Sequence, residues 1–143
     1  MTTSKSTRLI LTINRPDLTA PGTQNLAFVI HPDVSSLPDR PGLFALLGRQ
    51  PSDHRRPLYF GYADRTMRDQ VPFGTGFAQA IRLGLIGFAS AYVPGGQDPY
   101  DLINALALAY DAPINAAALA LADIDAARET IHAQAKARRL AAQ

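Results

Sequence analysis

Two short apolar runs separated by a polar segment constrain the fold of this chain most strongly. The runs are Leu43–Gly48 and Pro57–Ala63, and the connecting segment Arg49–Arg56 is almost entirely polar or charged. Short apolar runs bounded by turn-forming residues are typical of buried strands, and a connection of this length suits a hairpin. We therefore expect the two runs to form an antiparallel strand pair.

The segments on either side of this hairpin predict further strands and helices. Thr7–Asn14 alternates polar and apolar residues and indicates a strand, whereas Asn25–His31 is too short to distinguish a strand from a helix. Asp64, Thr75 and Asp98 are residue types that favour helix N-caps. We expect helices after Asp64, over Gly76–Gly84, over Pro99–Asp111 and from Asn115 onward, with a strand over Leu85–Val93.

This order of elements predicts an α+β fold. We expect a small mixed or antiparallel sheet of three core strands extended by the N-terminal strand, with helices packed on it and a long C-terminal helix. The 143 residues fit a single domain. Within it we expect a strand and loop extension over 1–39, a core over 40–115 and the terminal helix over 116–143.

Composition excludes several kinds of site. The chain has no cysteine, so disulfides, thiolate metal sites and cysteine nucleophiles are excluded. Its three histidines have no ligand-like spacing, which argues against zinc. No run reaches the roughly 18 apolar residues that a membrane span requires, and the N-terminus lacks a signal-peptide core. We expect a cytoplasmic protein without a membrane partner.

Short motifs at the joints between these elements resemble those of the GIY-YIG endonuclease superfamily. Gly42-Leu43-Phe44 lies on the first strand of the hairpin and Tyr59-Phe60-Gly61 on the second, where the family has Gly-x-Tyr facing Tyr-x-Gly. Arg68 follows in the next helix, one residue short of the family's arginine, and Asn115 completes a Pro-x-Asn segment. The resemblance covers about residues 40–115 and implies the fold of that family.

The resemblance also implies roles for individual residues. In the family a single divalent cation, Mg or Mn, would be held by a helix glutamate. Tyr59 would help to activate water, and Arg68 would stabilise charge on the phosphate. Here Phe44 replaces a tyrosine and has no hydroxyl, and the helix before Pro113 has no glutamate. Asp101 is the nearest substitute, offset by up to one turn, so we expect impaired catalysis.

Arginines near these motifs are the candidate contacts to DNA. Arg65 and Arg68 are three residues apart on one helix and can face the same phosphate. Arg82 can lie on the same side, and Arg55 and Arg56 make the hairpin tip positive. The alternative interpretation is an ordinary solvated surface, because the net charge of the chain is only +2.

Three functions therefore remain open. The first is a catalytically impaired domain that contacts nucleic-acid phosphates through its arginine-bearing helix. The second is an active Mg- or Mn-dependent endonuclease with displaced ligands. The third is a protein-interaction or structural module on the same fold, with the C-terminal helix as its contact surface.

Overall fold

The computed structural model describes residues 8–15, 22–49 and 55–141, without the side chains of Arg15, Arg55 and Thr75. Five strands lie within these residues: β1 (Arg8–Arg15), β2 (Gly22–His31), β3 (Gly42–Arg49), β4 (Arg55–Ala63) and β5 (Leu85–Ala91). The same residues form four α-helices: α1 (Met67–Gln70), α2 (Thr75–Arg82), α3 (Pro99–Tyr110) and α4 (Pro113–Ala141).

The five strands form one antiparallel sheet in the order β1-β2-β5-β3-β4. The expected α+β class and the long C-terminal helix are confirmed. The sheet is antiparallel throughout and not mixed, because every neighbouring pair runs in opposite directions. The N-terminal segment adds two strands, and the ambiguous run Asn25–His31 is a strand, since it lies within β2 and pairs with both β1 and β5.

Strand β3 is buried on both faces, which explains its continuous apolar sequence. Alternate residues of a strand point to opposite faces of a sheet. On one face Leu43, Ala45 and Leu47 belong to a core cluster with α3. On the other face Phe44 and Leu46 pack in a second cluster with the segment from α1 to α2. The protein therefore has helices on both sides of β3.

Helices α1 and α4 begin at residues other than those expected from the sequence. Thr66 is the N-cap of α1, whereas the side chain of Asp64 accepts a hydrogen bond from Gln70 Nε2 at 2.7 Å. Helix α4 begins at Pro113, two residues before the expected start at Asn115, because the fixed φ of proline suits the first helical position. Asp111, in the left-handed conformation at φ 50°, ends α3.

At α2, Gly74 is the N-cap and Thr75 is the first helical residue. The expected cap of α3 is present, because the Asp98 carboxylate accepts a hydrogen bond from Tyr100 N at 2.8 Å. A cap and the first helical residue differ by one position, so propensity alone does not separate them.

The α3–α4 junction reaches both edges of the sheet. Helix α3 packs against β1 and β4, which are the two edge strands. The Tyr110 hydroxyl accepts a hydrogen bond from Thr12 N at 2.7 Å. The Asn115 amide bonds to the backbone of Phe60 on the opposite edge. Side chains from one short segment thus give both edge strands hydrogen-bond partners, and unpaired strand edges promote aggregation.

Helix α4 extends away from this core. Of its 29 residues only Ile114 is buried. Taken one at a time, the helices within the described residues are too short or too polar to cross a membrane. Taken together, α3 and α4 are long and apolar enough for a span by length and composition, but the pair is bent by 112°.

Candidate functional site

A cleft of about 300 Å³ lies where β4 meets α3 and α4. It brings together three residues that were singled out from the sequence, Tyr59, Gly61 and Asn115. Tyr100 and Asn104 from α3 also line it. The polar groups on its walls are therefore hydroxyls, amides and backbone atoms, and no charged side chain is among its lining residues.

A bulge in β4 sets the position of Tyr59. Leu46 pairs with Tyr59 and Leu47 pairs with Pro57, so Leu58 is an extra residue in the ladder. Such bulges re-aim the side chains beside them. The Tyr59 ring is tilted by 49° against Phe44, with centroids 5.9 Å apart.

Burial of the Tyr59 ring has a chemical consequence. It raises the pKa of the Tyr59 phenol, and the nearby Tyr100 phenol raises it further. At neutral pH the hydroxyl of Tyr59 is therefore protonated and can donate a hydrogen bond. It is poorly suited to accept a proton from water as a base.

Gly61 is required by the aromatic residues around it. It pairs directly with Phe44 across β3 and β4. A Cβ at Gly61 would overlap the Phe44 ring and lie 2.9 Å from Tyr59 Cε2. Phe44 itself is buried, at 8% exposure, and lies outside the cleft. The glycine and the phenylalanine therefore act as a packing pair.

Asn115 uses both polar atoms of its amide to hold β4. Phe60 N donates to Asn115 Oδ1 at 2.8 Å, and Asn115 Nδ2 donates to Phe60 O at 3.0 Å. The side chain thus takes the place of a neighbouring strand at this point of the edge. Its position in the first turn of α4 joins that helix to the sheet.

The side chains near the cleft do not suit a hard divalent cation. Mg²⁺ and Mn²⁺ prefer carboxylate and other oxygen ligands in proteins. Asp101 is exposed in the first turn of α3 and does not line the cleft. Within 8–15, 22–49 and 55–141 no group of three or more His, Asp or Glu side chains is arranged to hold a metal ion.

The two arginines expected on one helix are both exposed beyond the end of β4, but only Arg68 lies in α1, because that helix begins after the N-cap Thr66. The Arg65 side chain is 83% exposed, and its Nε lies 3.9 Å from Asp64 Oδ1, which is a weak ion pair in water. Arg68 Nε donates to Leu37 O at 3.4 Å, which ties this exposed side chain to the loop before β3. Neither arginine lines the cleft of Tyr59.

The other candidate arginines occupy separate places. Arg56 is half-buried, and its Nη2 donates to Asp111 O at 3.3 Å, so it braces the end of α3. Arg82 is exposed at the last residue of α2 and does not line the cleft. The Arg55 side chain lies outside the described residues.

Sequence reasoning missed Tyr100 and the contact between Arg40 and Tyr92. Tyr100 is the residue just before Asp101, in the first turn of α3, where a metal ligand was sought. The Arg40 guanidinium carbon lies 4.2 Å from the centroid of the Tyr92 ring. The two residues are 52 positions apart, so the sequence carried no signal for their contact.

Comparison with known proteins gave no relative. No protein-family model matches the chain, and no curated protein or solved structure is significantly similar to it.

Proposed function

We propose that this protein is a GIY-YIG-like module that contacts nucleic-acid phosphates through Arg68 of α1 and Arg65 just before it, and has lost phosphodiester cleavage. One observation carries the proposal. The cleft that contains Tyr59, Gly61 and Asn115 is lined without any charged side chain, while Arg65 and Arg68 are exposed beyond the end of the same strand.

The topology supports the resemblance on which this proposal rests. The hairpin β3–β4 pairs Phe44 with Gly61, and β5 joins β3 on its other side after α1 and α2. Helix α3 and then Asn115 follow in the order expected for the family. Fold alone does not give activity, so the loss of cleavage is argued from the site.

The chemistry of the cleft favours loss of cleavage. Hydrolysis by the family's route needs an anionic ligand for the cation and a group that activates water. Asp101 is outside the cleft, and the Asn115 amide is engaged by the backbone of Phe60. The raised pKa of Tyr59 keeps its phenol protonated.

Binding of phosphates needs only exposed cations held on a firm support. Arg68 is tied to Leu37 O, and α1 is tied to the loop before β3 because Met67 N donates to Arg40 O at 3.2 Å. A guanidinium group presents several N–H donors that match phosphate oxygens. Arg65 and Arg68 are therefore the proposed phosphate contacts.

Fluorescence anisotropy with a labelled duplex tests the binding. We expect affinity to fall between about 50 and about 200 mM salt. Each phosphate contact contributes about −0.9 to the slope of log K against log salt. The slope for the double variant Arg65→Ala/Arg68→Ala should therefore be less negative by about 1.8 than that for the unchanged chain. Arg128→Ala, an exposed arginine on α4, is the matched control and should leave the slope unchanged.

The proposed binding is wrong if the duplex does not bind at low salt, or if the double variant binds like the control. Incubation of nicked and branched DNA with Mg or Mn tests the loss of cleavage, and the DNA should remain intact. Cleavage that disappears in Tyr59→Phe would instead establish the active endonuclease.

The exposure of α4 favours a second candidate function, contact with a second copy of this chain. Residues such as Leu121, Ile124 and Ile131 are 62%, 47% and 63% exposed along this helix. Light scattering of the full chain and of a chain ending at Ala120 tests this role. A partner surface on α4 predicts an assembly that the truncation abolishes, and a full chain that is strictly monomeric would contradict self-association through α4.

A further inference from the structure

Three tyrosines gather at one end of the sheet, and of these Tyr62 also packs against the core. Tyr62 is on β4, Tyr92 directly follows β5, and Tyr100 is in the first turn of α3. The rings of Tyr62 and Tyr100 meet edge to face, with centroids 5.9 Å apart. Tyr92 and Tyr100 are 68% and 60% exposed, so most of their aromatic surface faces solvent.

A second cleft, of about 230 Å³, is lined by two of these tyrosines. Tyr62 and Tyr92 line it together with Pro41, Gly42 and Val93. Sites that hold whole small molecules commonly measure about 300–1,000 Å³. The volume of this cleft therefore suits a single flat ring system that belongs to a larger molecule.

A cation lies at the border of this cleft. The Arg40 guanidinium carbon is 4.2 Å from the centroid of the Tyr92 ring, which is cation–π geometry. Arginine and tyrosine together offer a planar cation for a phosphate and an aromatic face for a base. A nucleotide contains both a base and a phosphate, whereas a plain hydrocarbon ring lacks the phosphate and a plain anion lacks the ring.

The position of the cleft connects it to the proposed phosphate contacts. The backbone of Arg40 accepts the hydrogen bond from Met67 N, so this arginine lies beside α1, the helix that carries Arg68. A strand bound at α1 would therefore pass close to Arg40, whose guanidinium lies over the ring of Tyr92. A base inside a duplex is already stacked and paired, so only an unpaired base can enter without that cost.

We propose that the cleft between Tyr62 and Tyr92 binds one unpaired nucleobase, with Arg40 on the adjoining phosphate. This inference rests on the proposed function and adds a substrate class to it. The module would prefer DNA with a single-stranded overhang to a blunt duplex of the same length.

A fluorescent base tests this assignment directly. The probe is a duplex with a short overhang that contains 2-aminopurine, whose emission falls when it stacks on an aromatic ring, and a blunt duplex is the comparison. We expect the overhang to bind more tightly and its emission to fall on binding. Tyr92→Ala should weaken overhang binding by about 5- to 140-fold, whereas Tyr92→Phe, which keeps the ring, should stay within about twofold.

The control variant is Leu108→Ala, which removes an exposed side chain from α3 and should leave both affinities unchanged. Equal affinity for the overhang and the blunt duplex, with binding still dependent on Arg65 and Arg68, would overturn the base site and leave the proposed function standing. The absence of binding to either DNA would overturn both the base site and the proposed function. If free 2-aminopurine mononucleotide lost as much emission as the overhang probe, the proposed preference for strand ends would be wrong.

Discussion

Replacing Asn115 by alanine removes the side chain that holds the β4 edge. Two hydrogen bonds to Phe60 are lost, and each contributes about 0.5–1.5 kcal/mol to stability, which gives a loss of about 1–3 kcal/mol. Alanine is a better helix former than asparagine by at most about 0.7 kcal/mol, which offsets part of this loss in α4. At the middle of these ranges we expect the free energy of unfolding to fall by about 1.3 kcal/mol.

Urea denaturation followed by circular dichroism measures this change. With a slope of about 2 kcal/mol per molar urea, the midpoint should fall by roughly 0.65 M. Asn104→Ala is the matched control, because this exposed asparagine lines the same cleft and should change stability by less than about 0.5 kcal/mol. An Asn115→Ala variant as stable as the Asn104→Ala variant would refute the structural role of Asn115.

Three further changes probe other parts of the structure. Gly61→Ala places a methyl group against packed rings and should cost about 1–3 kcal/mol in thermal unfolding, whereas Gly95→Ala, which meets open space, should cost little. Tyr110→Phe removes the hydroxyl that accepts from Thr12 N and should lower the free energy of unfolding by about 0.5–1.5 kcal/mol in urea. Burial and, to a lesser extent, the charge of Arg40 lower the pKa of His31 below its ordinary value of 6.5, while Asp33 opposes them. The unfolded chain then binds the proton more readily, so the stability contributed by the neutral imidazole is lost as pH falls below about 6.5. The urea midpoint should therefore drop less between pH 7 and pH 5 in His31→Asn than in the unchanged chain, and equal drops would contradict this origin.

Local pattern was enough to predict the hairpin and the α+β class. The run Leu43–Gly48 is apolar at every position because β3 is covered on both faces. The placement of the N-terminal hairpin was not predictable in this way. It depends on β2 pairing with β5 through Val29, Ile30 and His31, whose partners are about 60 residues further along the chain. Periodicity identifies a strand but contains no information about its neighbour.

The candidate site shows the same limit. The sequence identified Tyr59, Gly61 and Asn115, and the structure places all three at one cleft. The sequence did not predict the hydrogen-bond partner of Asn115, because an asparagine at the start of a helix equally suits an N-cap. The extra residue Leu58 in β4 was also unforeseen, since a bulge depends on the register with β3. Contacts between distant segments decide these features.

The most direct test of the proposed phosphate contacts is an NMR titration of the labelled protein with an overhang duplex. We predict that the largest changes in backbone amide shifts occur at Arg65, Arg68 and their neighbours in α1, and that salt reverses them. Changes confined to the basic end of α4 at Arg138 and Arg139, or no changes at low salt, would contradict the account.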